Sequence, residues 1–108
     1  MTRLTLDRDS YVRALLEAYR LLPDTPSRPR PPDRTLARQL FDRKVPLETV
    51  QQAFLLTTAR RFCRPPQAPP LPSIRSLYYF LPVIEELLKT PLPDGYETYL
   101  KRKLAPRK

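Results

Sequence analysis

The chain has no histidine and no tryptophan, one cysteine (Cys63), one glycine (Gly95) and one methionine in 108 residues. Each scarcity excludes something. A single cysteine cannot close an intramolecular disulfide, and without histidine or a second thiol no zinc site of the usual kind can be assembled. The lack of histidine also removes the commonest general base, and with one glycine there is no glycine-rich phosphate loop. Glu85 and Glu86 are adjacent, so on a helix they point in different directions and make no acid/base pair. Catalysis, a metal and a cofactor are therefore not expected. No apolar run reaches the length of a membrane span, and Met1 to Asp7 has no signal-peptide core, so a cytoplasmic protein without a membrane partner is expected.

What the chain has in excess is arginine: fifteen, against five lysines, with a formal net charge of +9. The guanidinium is a permanently charged planar fork suited to phosphate oxygens, so the leading partner is a nucleic acid held by its backbone. Hydrophobic residues make up 41% of the chain, enough for one small core at this length. A single helical domain spanning residues 1–108 is expected.

Fifteen prolines organise the chain, five of them within residues 23–32 and five within 64–73. Both passages are expected to run as extended, polyproline-like connections, with Leu71 tucked into the core. The spacings Pro23-x-x-Pro26-x-Arg28 and Pro29-x-x-Pro32-x-Arg34 also match polyproline ligands. With glycine so scarce, hairpins needing positive φ are poorly supplied and no window alternates apolar and polar residues for long. The fold class expected is all-α, a compact bundle of about five helices joined by two proline-rich extended loops.

The first helix is read from about Asp9 to Leu22, with Tyr11, Leu15, Ala18 and Leu22 on one face, and Pro23 ends it. A second, Asp33 to Arg43, turns Leu36, Ala37, Leu40 and Phe41 inward. A third begins at Pro46 with stripes of Val50, Ala53, Phe54, Thr57 and of Leu55, Ala59, Phe62, which makes it central. A fourth, capped by Ser73, carries Ile74, Leu77, Leu81, Ile84 and Leu88 through a kink at Pro82, with a break at Leu81 as the alternative. The fifth opens with a capping box, Asp94 to Glu97, turns Tyr96, Tyr99, Leu100 and Leu104 inward, and leads to a basic tail at 105–108.

The candidate interface residues are Arg28, Arg30, Arg34 and Arg38, running from the first proline passage onto the second helix, and Arg60, Arg61 and Arg64 at the end of the third. Antiparallel packing of those two helices would gather all seven into one patch. The same pair, with Ala37, Leu40, Leu47 and Val50 at its contact, could also be a helix-turn-helix, although the turn lacks the usual glycine. Arg75 and Tyr79 share the polar stripe of the fourth helix, Tyr79 as a base-stacking candidate, while Tyr78 and Phe80 are assigned to the core. Lys101, Arg102 and Lys103 complete the set.

The run from Pro46-Leu47-Glu48-Thr49-Val50 through Pro72-Ser73-Ile74-Arg75-Ser76-Leu77-Tyr78-Tyr79-Phe80 resembles helical modules of bacterial replication initiators and DnaD-like primosome proteins, over residues 33–90. The chain is also similar to small uncharacterised bacterial proteins carried with mobile elements. The resemblance implies a helical accessory module working near DNA or RNA. A second class stays open beside it: a helical adaptor docking on a larger protein or on itself through the doubly apolar third helix and the heptad-like fourth.

Overall fold

A computed structural model describes residues 7–23, 25–26 and 28–104; the basic tail expected at 105–108 lies outside these residues. They form five α-helices: α1 (Arg8–Arg20), α2 (Pro31–Asp42), α3 (Leu47–Phe62), α4 (Leu81–Lys89) and α5 (Tyr96–Leu104). A 3-10 turn, Leu77–Phe80, leads directly into α4. No strand occurs among the described residues, so the all-α expectation holds. None of these helices is long and apolar enough to cross a membrane.

Helix α1 starts where the Asp7 carboxylate accepts a hydrogen bond from the Ser10 N–H at 2.7 Å. It ends where the Thr25 hydroxyl donates to the carbonyls of Tyr19 and Leu22, which satisfies acceptors that a helix terminus leaves open. Its buried face is Tyr11, Leu15, Leu16 and Tyr19, wider than the single stripe read from the sequence. The first proline passage is shorter than expected, because Pro31 and Pro32 are the opening residues of α2. Proline is suited to that place, having no N–H to leave unpaired and a φ already helical. The second passage carries no regular element, and its one local backbone bond runs from the Ala68 N–H to the Pro65 carbonyl.

Helix α3 is the centre, packed by α1, α4, α5 and the 3-10 turn. It buries Val50, Ala53, Phe54 and Thr57, the first expected stripe, but of the second only Ala59, with Leu55 half-buried, Phe62 exposed and Leu56 buried instead. Around it, Phe54, Phe80 and Tyr19 meet edge to face or tilted, with centroids 4.8 Å (Phe54 to Phe80), 6.0 Å (Tyr19 to Phe80) and 6.4 Å (Tyr19 to Phe54) apart. Helix α2, by contrast, packs chiefly on α1 and the 3-10 turn rather than on α3. The helix-turn-helix pairing is therefore not formed.

The reason lies in the connection between α2 and α3. There the Lys44 N–H bonds to the Phe41 carbonyl and the Val45 N–H to the Leu40 carbonyl, the double bond of a Schellman stop. Lys44 occupies the left-handed position usually given to glycine, with φ 63°. Val45 is buried, and its carbonyl accepts the Tyr11 hydroxyl at 2.8 Å. The turn is thus clamped onto α1, and Phe41 meets the Tyr11 ring edge-on at 5.3 Å. Burial pushes the Tyr11 phenol up to about 12.

The fourth element departs most from the sequence reading. Residues 73–76 are extended, Leu77–Phe80 form the 3-10 turn, and α4 begins at Leu81 with Pro82 in its first turn. The break at Leu81 is what forms. Three residues per turn place Leu77 and Phe80 on the same inward side, and both are fully buried, with Ile84 and Leu87 continuing the core. Leu88 is exposed instead, and so is Tyr78, which the sequence assigned to the core.

Asp33 fixes where this turn begins. Its carboxylate is fully buried and accepts the Arg30 N–H at 2.8 Å and the Leu77 N–H at 2.9 Å. In α5, Gly95 at φ +83° starts the helix, and Glu97 bonds to Gln52 of α3 and Lys101 rather than back to its own helix start. The expected inward face of α5 is reduced to Leu100 with Leu104 partly covered, while Tyr96 and Tyr99 are exposed and stacked on each other at 5.5 Å. Packing explains this, since a nine-residue helix meeting α3 alone can bury only a narrow stripe.

Asp33→Asn is expected to destabilise the domain by about 2–3 kcal/mol, because either orientation of the amide sets an N–H against one of the two backbone N–H groups. Urea unfolding followed by circular dichroism measures it; an unchanged midpoint would show that the carboxylate holds neither turn. Lys44→Gly is expected to stabilise by about 0.5 kcal/mol, the relief of left-handed strain exceeding the added freedom of the unfolded chain. Lys44→Val should move the midpoint the other way.

Candidate nucleic-acid interface

Of the twelve residues named from the sequence, eleven are cationic, and what separates them in the structure is whether a carboxylate already holds each charge. Arg60 is held: its guanidinium grips Glu86 of α4 through two bonds, at 3.1 and 2.7 Å. Lys101 pairs with Glu97 one turn away, at 3.0 Å. Arg43 and Arg8 are also committed, to Glu85 and Asp42 respectively. These neighbouring guanidinium groups hold the Glu85 and Glu86 carboxyls below the usual range, the direct hydrogen bond being the larger cause in each. As the sequence implied, Glu85 and Glu86 point to different partners.

Arg34 and Arg38 stand differently. Both are exposed on α2 and make no ion pair among the described residues. They line a groove of about 340 Å³ between α1 and α2, facing Arg13 and Arg20 of α1, with Pro29 of the first proline passage at one end. Asp9 and Glu17 also line it, and Glu17 is engaged by Arg20 at 2.6 Å. Arg13 and Arg20 were missed from the sequence because they belong to a helix that the expected pairing of α2 with α3 placed elsewhere. The signal was present in the i, i+7 spacing of the two residues along one side of α1.

Since α2 packs on α1, the seven arginines fall into two groups instead of one patch. Arg28 and Arg30 are exposed on the approach to α2, Arg30 being its capping residue. The second group lies at the end of α3. There Arg61 donates to the Tyr79 hydroxyl at 2.9 Å and to the Pro72 carbonyl at 3.0 Å, and its guanidinium lies 5.4 Å from the Tyr79 ring centroid. Arg64, half-buried, lines two clefts on either side of this stack, of about 310 and 440 Å³.

The first of these clefts is walled by the second proline passage together with Phe62, which is 73% exposed, and Leu71. Both residues were expected in the core. Phe62 is the last residue of α3, beyond the reach of α4, and Leu71 sits in a passage with five prolines that cannot fold back as a helix. Arg75 is exposed on the extended approach to the 3-10 turn, Arg102 is exposed on α5, and Lys103 lies 5.9 Å from the Tyr99 ring centroid. Cys63 is exposed at the end of α3, and no group of side chains suited to a metal occurs among the described residues.

Comparison with protein-family models, with curated proteins and with solved structures finds no match to this chain.

The ion pairs are half exposed, so each contributes little to the fold. Glu86→Gln is accordingly expected to leave the unfolding midpoint nearly unchanged while releasing Arg60. Thermal melting checks it, and a large loss of stability would show that the pair anchors α4 to α3.

Proposed function

We propose that this chain is a small nucleic-acid-binding accessory protein that grips the phosphate backbone with exposed arginines. The observation that carries the reading is the groove between α1 and α2, where Arg34 and Arg38 are exposed, make no ion pair among the described residues, and share the lining with Arg13 and Arg20. A groove lined by four guanidinium forks against two carboxylates, one of them already held by Arg20, attracts a chain of phosphates without reading bases. The net charge of +9 supplies the long-range attraction. Arg28 and Arg30 lie on the approach to α2 beside Pro29 of the groove, and Arg64 and Arg75 form the second contact. Work within a replication, mobile-element or ribonucleoprotein complex in the bacterial cytoplasm fits this reading and the resemblance noted in the sequence. No step of catalysis is part of it.

A second reading is favoured by the exposed Phe62 and its proline-walled cleft, which would suit docking on another protein or a second copy. Such binding survives high salt and is lost with Phe62→Asp.

Affinity for duplex DNA, measured by fluorescence anisotropy across a salt series, separates the two. Each phosphate contact contributes about 0.9 to the slope of log affinity against log salt. Arg34→Gln and Arg38→Gln are each expected to lower that slope by up to about 0.9, weakening binding equally across sequences. Arg43→Gln, whose charge Glu85 already holds, should leave it unchanged. Equal slopes for all three variants, or no binding at low salt, would remove the groove from the function.

A further inference from the structure

We infer that Tyr78 and Tyr79, carried by the 3-10 turn and braced by Arg61, form a stacking platform for unpaired bases, so that the nucleic acid taken by this protein is single-stranded. The inference rests on the phosphate reading above and goes beyond it, because an arginine groove alone does not distinguish one strand from two.

The platform follows from the geometry of the turn. With three residues per turn, the buried pair Leu77 and Phe80 leaves the two residues between them facing out. Both are aromatic, Tyr78 being 44% and Tyr79 43% exposed. Two consecutive exposed rings are a considerable apolar area to leave in water.

Tyr79 is also held in place. Its hydroxyl accepts Arg61 at 2.9 Å, and the Arg61 guanidinium lies 5.4 Å from the ring centroid while also donating to the Pro72 carbonyl at 3.0 Å. Behind it, the ring meets the buried Phe80 edge-on at 5.5 Å and 82°. Phe80 in turn belongs to the aromatic centre of the core. A ring fixed in this way loses little further freedom when a base stacks on it.

The surroundings fit the rest of a nucleotide. Beside Tyr79 opens the cleft of about 440 Å³, with Arg60, Arg61 and Arg64 on one side and Leu71 and Val83 on the other. Among the described residues no carboxylate lines it, although Glu86 holds Arg60 from α4. Thr57 also lines the cleft, and its buried hydroxyl has no hydrogen-bond partner among the described residues. Cations beside apolar walls and exposed rings suit a backbone whose bases are turned outward. In a duplex the base faces are hidden in the stack, so rings of this kind have nothing to bind.

The test uses the full chain and four labelled probes of about twelve nucleotides, a length within the usual range for stacking grooves. They are oligothymidylate, oligouridylate, an abasic strand with the same phosphates, and a duplex. The base-bearing strands are expected to bind about tenfold or more tightly than the abasic one. The double variant Tyr78→Ala/Tyr79→Ala should bring them down to the abasic level and leave the duplex unchanged. Tyr79→Phe keeps the ring and should keep the affinity. Circular dichroism confirms that the variants fold, and Tyr78→Ala alone carries the test if the double variant does not.

Equal affinity for base-bearing and abasic strands overturns the platform while leaving the phosphate reading in place. So does undiminished binding by the double variant. Failure of every probe, duplex included, overturns both.

Discussion

Taking a carboxylate fully out of water costs several kcal/mol unless hydrogen bonds replace its hydration. Asp33 meets that condition with two backbone N–H groups drawn from opposite halves of the chain, those of Arg30 and Leu77. It also sits in the first turn of α2, where the helix dipole favours negative charge. The bond to Arg30 is local and closes the helix start. The bond to Leu77 spans forty-four positions and decides where the long proline passage ends and the 3-10 turn begins. Once Leu77 is placed, Phe80 falls into the aromatic centre and α4 follows directly. The same carboxylate lies close enough to Tyr19 to add to burial in raising that phenol to about 12, so its charge is felt inside the core it organises.

The sequence made the helices legible and left their partners obscure. Periodicity identifies α1, α2 and α3 because each carries an apolar face that only a helix would align, and α3 reads as central because it is apolar on two sides. It cannot say which face meets which. The antiparallel pairing of α2 with α3 was inferred from a short connection, yet the Schellman stop at Lys44 and the Tyr11 hydroxyl on Val45 turn α2 toward α1. Neither device has a strong sequence signal, since the left-handed residue is a lysine rather than a glycine. Likewise a heptad-like spacing from Ile74 to Leu88 fits a helix on paper, whereas the structure buries Ile74, Leu77, Phe80, Ile84 and Leu87. The change of period from three to nearly four residues at Leu81 is what a single-period reading overlooks.

The candidate interface was legible as composition and not as geometry. Counting arginines points to phosphate, but a count treats every guanidinium alike. The structure spends several of them internally: Arg8 on Asp42, Arg43 on Glu85 and Arg60 on Glu86. These pairs join helices distant in sequence, and being half exposed they contribute little to stability. Their larger effect is on the pattern of charge left over. Where a carboxylate grips a guanidinium the local charge is close to neutral; Arg34 and Arg38 make no such pair among the described residues, and their groove holds four arginines against Asp9 and Glu17.

Fold and site share the segment from Pro72 to Phe80. The Pro72 carbonyl orients Arg61, Leu77 receives Asp33, Tyr79 lies under the guanidinium, and Phe80 closes the core. A helix begun at Ser73 would have imposed a 3.6-residue period here. Instead the extended backbone of Ser76 leads into the three-residue period of Leu77–Phe80, which buries Leu77 and Phe80 and leaves both tyrosines exposed. A site built from short, rigid irregular structure on an aromatic core has little freedom to lose on binding, which is the property a stacking surface needs.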